Sequence, residues 1–236
     1  MVISAAAFCP NPPVLVPAVA SGAAVELDAL RDACIVAVTR IARPERQIVL
    51  LGAGDRSLSH SPLSRGSFAR YGVALEVHLG SPGCGGAKDL PLSLTVGAWL
   101  VGQALGPRSG AVGYSVGPDF ASSRAAVELL ELAQSRDIGL VVMGDGSARR
   151  STAAPGYFDE RATPFDDQVV GALRAGDPGT LEVLDAALGE QVLAAGTPAW
   201  RAAGGLLDGV DYDADLLYAA DPYGVAYTVA VWTARD

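Results

Sequence analysis

The chain has 236 residues, 50% of them hydrophobic and 18% charged, with a net charge of −9. That composition supports a substantial core and excludes a disordered chain. The acidic balance excludes a nucleic-acid or anionic-membrane surface, because phosphate recognition needs clustered Lys and Arg, and Lys88 is the only lysine present.

In chain order, Val2 to Phe8 is an apolar run and predicts a first strand. It stops at Cys9-Pro10-Asn11-Pro12-Pro13, where prolines forbid continuation of helix or sheet and hold Asn11 in a rigid turn. Glu26 to Arg43 carries apolar residues at helical spacing (Leu27, Leu30, Cys34, Ile35, Val38, Ile41) and ends at Pro44. Gln47 to Leu51 predicts a second buried strand opening into Gly52-Ala53-Gly54-Asp55. The full GxGxxG fingerprint of a dinucleotide site is absent there. Arg56 to Arg70, Ser-rich and containing His60, reads as a surface excursion or lid. Val73 to Leu79 reads as a strand and Ser81 to Ala87 as a glycine-rich turn without the GK[ST] of a phosphate loop.

A helix over Leu90 to Leu105, a strand over Gly110 to Val116 and a helix over Ala121 to Gln134 follow. Ile138 to Met143 is an uninterrupted apolar strand that opens into Gly144-Asp145-Gly146-Ser147. A strand opening into a Gly-rich polar loop is where α/β proteins commonly place ligands. Thr163-Pro164-Phe165-Asp166-Asp167 suits a helix start, with helices over Asp166–Ala175, Pro178–Leu188 and Pro198–Leu207. Strands over Ala214 to Ala220 and Val225 to Trp232 flank the turn Asp221-Pro222-Tyr223-Gly224. Strands alternating with helices, closed by a strand pair, predict one three-layer α/β domain over residues 1–236, with a mixed central sheet and helices on both faces.

Three cysteines, Cys9, Cys34 and Cys84, without CxxC spacing suit a reducing compartment rather than a disulfide framework. The opening MVISAAAFCPNPP lacks the positive stretch of a signal peptide, and no apolar run reaches the roughly 18 residues of a membrane span. The expected location is the cytoplasm.

Three stretches carry a family resemblance. GDGSAR…GYFDERATPFDD (144–167) resembles the Gly-Asp-x-Ser-His-Arg, Gly-Tyr and Phe-Asp signature of the LigB-like family, the class III extradiol ring-cleavage dioxygenases. CPNPPVLVP (9–17) resembles that family's Pro-His-Pro-Pro opening, and DPYGVAYTVAVW (221–232) its C-terminal Pro-Tyr-Gly-Val-Gly-Tyr strand. The resemblance implies a LigB-like fold over most of the chain. It also implies histidines at three positions, which here read Asn11, Ala53 and Ala148.

Opening an aromatic diol with O2 needs Fe(II), usually held by two imidazoles and a carboxylate, and a nearby base. His60 and His78 are the only histidines, and neither falls on a matching motif. The resemblance therefore implies the fold without the iron site, and fold alone does not carry function. No cofactor and no metal site is expected.

Three readings remain open. In the first, a metal-free cleft binds a small molecule or partner, with Asn11, Asp55, Asp145, Ser147, Arg149, Tyr157 and Tyr223 as its candidate residues. In the second, Asp55 and Asp145 serve as an acid/base pair or hold a hard cation, with Cys9 as a nucleophile lacking an evident base. In the third, the chain is a non-catalytic structural or interaction protein, for which a homodimer is reasonable. The acidic run Asp208, Asp211, Asp213, Asp215 lacks the central Gly and terminal Glu of a calcium loop and reads as a solvated connection.

Overall fold

The computed structural model describes residues 3–80, 89–106 and 110–235. In chain order its elements are strand β1 (Ile3–Cys9), helix α1 (Pro17–Ala20), helix α2 (Asp28–Ile41), and strands β2 (Gln47–Ala53), β3 (Leu58–His60), β4 (Arg65–Ser67) and β5 (Glu76–His78). Helix α3 (Leu92–Leu105), strand β6 (Val112–Val116), helix α4 (Arg124–Ser135) and strand β7 (Ile138–Met143) follow. The chain ends with helices α5 (Ala162–Ala175), α6 (Pro178–Glu182), α7 (Ala186–Gln191) and α8 (Thr197–Leu207), then strands β8 (Tyr212–Ala220) and β9 (Tyr227–Ala234).

Seven strands form one mixed sheet in the order β3-β6-β2-β7-β1-β9-β8. The inner four, β6, β2, β7 and β1, run parallel. Antiparallel pairs close both sides, β3 on β6 and β9 with β8 on β1. All six residues of β7 are buried, as a strand covered on both faces must be, which is why it reads as an unbroken apolar run.

Side chains alternate between two cores. Phe8, Val49, Leu51, Leu140 and Val142 meet α4, α5, α6 and α8 on one face. Ala7, Cys9, Leu50, Val141 and Met143 meet α2 and α3 on the other. This is the three-layer α/β architecture that the sequence predicts. Trp232 anchors the first core: its indole N–H donates to Leu173 O at 2.7 Å, and its ring packs on Phe8 (4.7 Å) and Tyr212 (5.5 Å).

Two stretches depart from expectation. Residues 56–70 are more ordered than the expected excursion or lid: β3 joins the edge of the main sheet, while β4 pairs with β5 in a separate two-stranded sheet, and residues 65–70 still wall a cavity at the strand tips. Pairing with distant partners stabilises these three-residue strands, so no local periodicity announces them. The expected helix over Pro178–Leu188 is two helices, because the Asp185 carboxylate accepts the Leu188 N–H at 2.9 Å and starts α7 afresh. The turn expected over Ser81–Ala87 lies outside the described residues. Asp213 and Asp215 of the acidic run sit on β8, where they pair with Arg235 (2.7 Å) and Arg40 (2.6 Å).

Candidate functional site

The parallel strands β1, β2, β6 and β7 all end on one edge of the sheet, and the turn leading into β9 comes to the same edge. Backbone hydrogen bonds stitch these tips together. Gly144 N–H donates to Cys9 O (2.9 Å), Gly146 N–H to Ala226 O (2.8 Å), Gly54 N–H to Val116 O (3.0 Å) and Gly196 N–H to Asp145 O (2.8 Å). The glycines are needed for this closeness. A Cβ at Gly144 would lie 2.5 Å from the Gly196 Cα, nearer than real side chains approach a backbone.

The tip of β1 is tied to the tip of β7 by a side chain as well. Asn11 N–H donates to Asp145 Oδ1 at 2.7 Å. Asn11 is buried and Asp145 half-buried. Burial pushes the Asp145 carboxyl up to about 7, while the Asn11 N–H bond pulls in the opposite direction. The carboxyl in turn acts on groups behind it. Burial and then proximity to Asp145 push the Tyr227 phenol up, and burial, Cys9 and Asp145 together push the Cys34 thiol up.

In front of Asn11 opens a cavity of about 700 Å3, lined by Asn11, Ala53, Gly54 and Asp55 from the strand tips. Arg65, Ser67 and Arg70 close it from β4 and the turn after it, and Ser93 and Thr95 from α3. Ser93 Oγ donates to Ala53 O at 2.6 Å and fixes that wall. Asp55 stands exposed on the rim. This size is ample for a small organic molecule.

The other expected residues disperse. Ser147 is fully buried under the loop: its Oγ donates to Asp166 Oδ2 (2.5 Å) and its N–H to Asp166 Oδ1 (2.8 Å). Arg150 adds a bond from Nη1 to Asp166 (3.1 Å) and one from Nε to Asp221 (3.0 Å), joining the loop to the turn before β9. Burial raises the Asp166 carboxyl, while the bonds from Ser147 and Arg150 lower it. Ser147 is thus a loop anchor, not a cleft wall.

Arg149 is half-buried, and its Nε has no hydrogen-bond partner among the described residues. Tyr157 is 77% exposed at φ 61°. Tyr223, at φ 62°, points its hydroxyl to Glu26 (2.6 Å). Neither tyrosine lines the cavity. Asn11, Asp55 and Asp145 are therefore the candidates that the fold brings together. Sequence reasoning missed Asp166, though it stands in the Thr-Pro-Phe-Asp-Asp start of α5, and it missed the walls from β4 and α3.

The residues do not fit a ferrous ion. Of the three positions where the resemblance implies histidine, Asn11 and Ala53 line the cavity and offer an amide and a methyl. Ala148 is held within the loop by bonds to Val192 O (3.2 Å) and from Gly156 N–H (2.9 Å). His60 is buried in β3 with Nε2 3.1 Å from Ser115 Oγ, and His78 lies on β5 opposite Arg65. Among the described residues, no group of three or more His, Cys, Asp or Glu is placed to hold a metal.

Compared with known proteins, the chain matches no family model and no curated protein. Among solved structures it is similar to the uncharacterized protein JW3007 from Escherichia coli K12. The two share 14% identity at a TM-score of 0.53, over 98% of this chain and 99% of that one. That likeness speaks to the fold alone; the chain's own sheet, with helices on both faces, makes it a three-layer α/β protein. No helix among the described residues is long and apolar enough to cross a membrane.

Proposed function

We propose that this chain is a cytoplasmic, metal-free relative of the LigB-like extradiol dioxygenases that uses the strand-tip cavity to bind a small molecule. The observation that carries the reading is the cavity's inner wall. Two of the positions where the resemblance implies metal ligands, Asn11 and Ala53, face a space of about 700 Å3 without an imidazole, and a carboxylate is locked behind Asn11. The cavity's lining mixes cationic (Arg65, Arg70), acidic (Asp55, Glu76, Asp89) and neutral polar side chains, which suits a hydrogen-bonding ligand.

The test is elemental analysis of untagged protein together with thermal-shift titration against Fe(II), Mn2+, Zn2+ and Mg2+, followed by a small-molecule screen. The expected outcome is no stoichiometric metal, no metal-induced shift, and stabilisation by at least one organic ligand that Ala53→Trp abolishes. Stoichiometric metal with a clear shift would overturn the reading.

A second reading rests on Asp145. Burial lifts its carboxyl to about 7 and the Asn11 N–H ties it to the cavity's inner wall, which Asp145 does not itself line, so in this reading the ligand is a substrate that meets the carboxyl once Asn11 moves aside. Asp55, exposed on the rim, would then help position the ligand. An Asp145→Asn protein that binds the ligand unchanged but no longer turns it over would separate catalysis from binding.

A further inference from the structure

A second hollow, of about 970 Å3, lies on the α8 side of the same sheet edge. Among the described residues it meets the strand-tip cavity only at Gly54, Asp55 and Ala195. Its lining is of a different kind. Val116 and Phe120 from β6 and the turn after it, Leu193 before α8, and Pro198 and Ala202 on α8 give it a largely apolar surface.

The charges around that surface are nearly all of one sign. Asp55, Glu182 and Glu190 line the hollow, and all three are exposed. None of them has an Arg, Lys or His within ion-pair distance among the described residues. The one cation among the described lining residues, Arg201, donates through Nη1 to the Leu184 carbonyl and holds α8 against the end of α6. An apolar trough bounded by three unpaired carboxylates and one guanidinium carries a net negative charge, which favours a positive ligand over a negative one. The chain's net charge of −9 acts in the same direction.

We infer that this trough binds a small organic cation, an amine carried on an apolar body, with the body against Phe120 and Leu193 and the ammonium near Glu182 and Glu190. Burial of the body supplies most of the affinity, and the carboxylates supply the choice of charge. The inference does not depend on what fills the strand-tip cavity.

Three probes of one shape, 4-phenylbutylamine, 4-phenylbutanol and 4-phenylbutyrate, test it by calorimetric titration at pH 7 and low salt. The amine is expected to bind, the alcohol more weakly, and the carboxylate least. Glu182→Gln with Glu190→Gln should weaken the amine about tenfold and leave the alcohol unchanged, and added salt should produce part of the same loss. Ala186→Trp, at an exposed lining position, should block all three. Both variants alter exposed side chains, so an unchanged melting temperature verifies their folding. Failure of the amine to bind, carboxylate binding as tight as the amine's, or an amine affinity indifferent to the double substitution would each overturn the inference. Ala53→Trp, which fills the other cavity, should leave amine binding intact and so separates the two sites.

Discussion

The backbone N–H of Asn11 donates a 2.7 Å hydrogen bond to the carboxylate of Asp145, joining the tips of two adjacent parallel strands across 134 positions of sequence. The carboxylate is held in a setting that disfavours its charge, and this has a consequence for stability. Its folded value of about 7 lies above its ordinary 3.8, so the native state keeps a proton that the unfolded chain has released. The stabilisation is fully present below pH 3.8 and is lost as pH rises through 7.

Asp145→Asn should remove that dependence. The variant should match the wild type near pH 4 and exceed it at pH 8 by on the order of 2–4 kcal/mol, since every tenfold change in proton affinity corresponds to about 1.4 kcal/mol. Urea denaturation between pH 4 and 8 measures this, and parallel curves for the two proteins would contradict it.

Asp166 receives bonds from Ser147 N–H, Ser147 Oγ and Arg150, and is 2% exposed. Asp166→Ala leaves the Ser147 N–H and Oγ without a partner in a closed space, while Arg150 keeps Asp221, and is expected to cost about 2–4 kcal/mol. Ser147→Ala removes one bond and should cost about 1–2 kcal/mol. Chemical denaturation of the two variants should rank them in that order.

Trp232→Phe gives up the indole bond to Leu173 O and part of the packing on Phe8 and Tyr212. The expected cost is about 2–3 kcal/mol. A midpoint within experimental error of the wild type would show that the β9–α5 junction is held by other means.

Tyr157 is exposed and sits in the left-handed region that side chains other than Gly and Asn enter at a cost. Tyr157→Asn should raise stability by roughly 0.5–1 kcal/mol, with ligand binding in the strand-tip cavity unaltered. Weakened binding would return Tyr157 to the site.

Much of the frame can be read from the sequence because its signals are local. Ile138–Met143 is a strand in the sequence pattern and in the structure, with the same limits, since full burial on both faces demands six consecutive small or apolar side chains. The glycines and acids after β2 and β7 mark the sheet edge for the same reason: the backbone turns there and the core ends.

What escapes is whatever depends on a distant partner. His60 looks like a loop residue until Gly113 of β6 supplies the pairing that makes β3 a strand. Asp166 has the look of a helix-start acid, and only the folded loop brings Ser147 beneath it. Tyr157 and Tyr223 share the glycine-rich surroundings of the cavity-lining residues, but the folded chain leaves both exposed and outside the cavity. The resemblance points to the strand tips without supplying the walls that β4, α3 and α8 build around them.

The closeness of Gly144 to Gly196 also bears on how such a sequence can change over time. Each glycine would carry a Cβ directly into the other's backbone, at 2.5 and 2.8 Å. Because neither has a side chain to shorten, a second substitution cannot make room for the first. The two positions therefore form a mutational dead end, locked together by backbone contact alone.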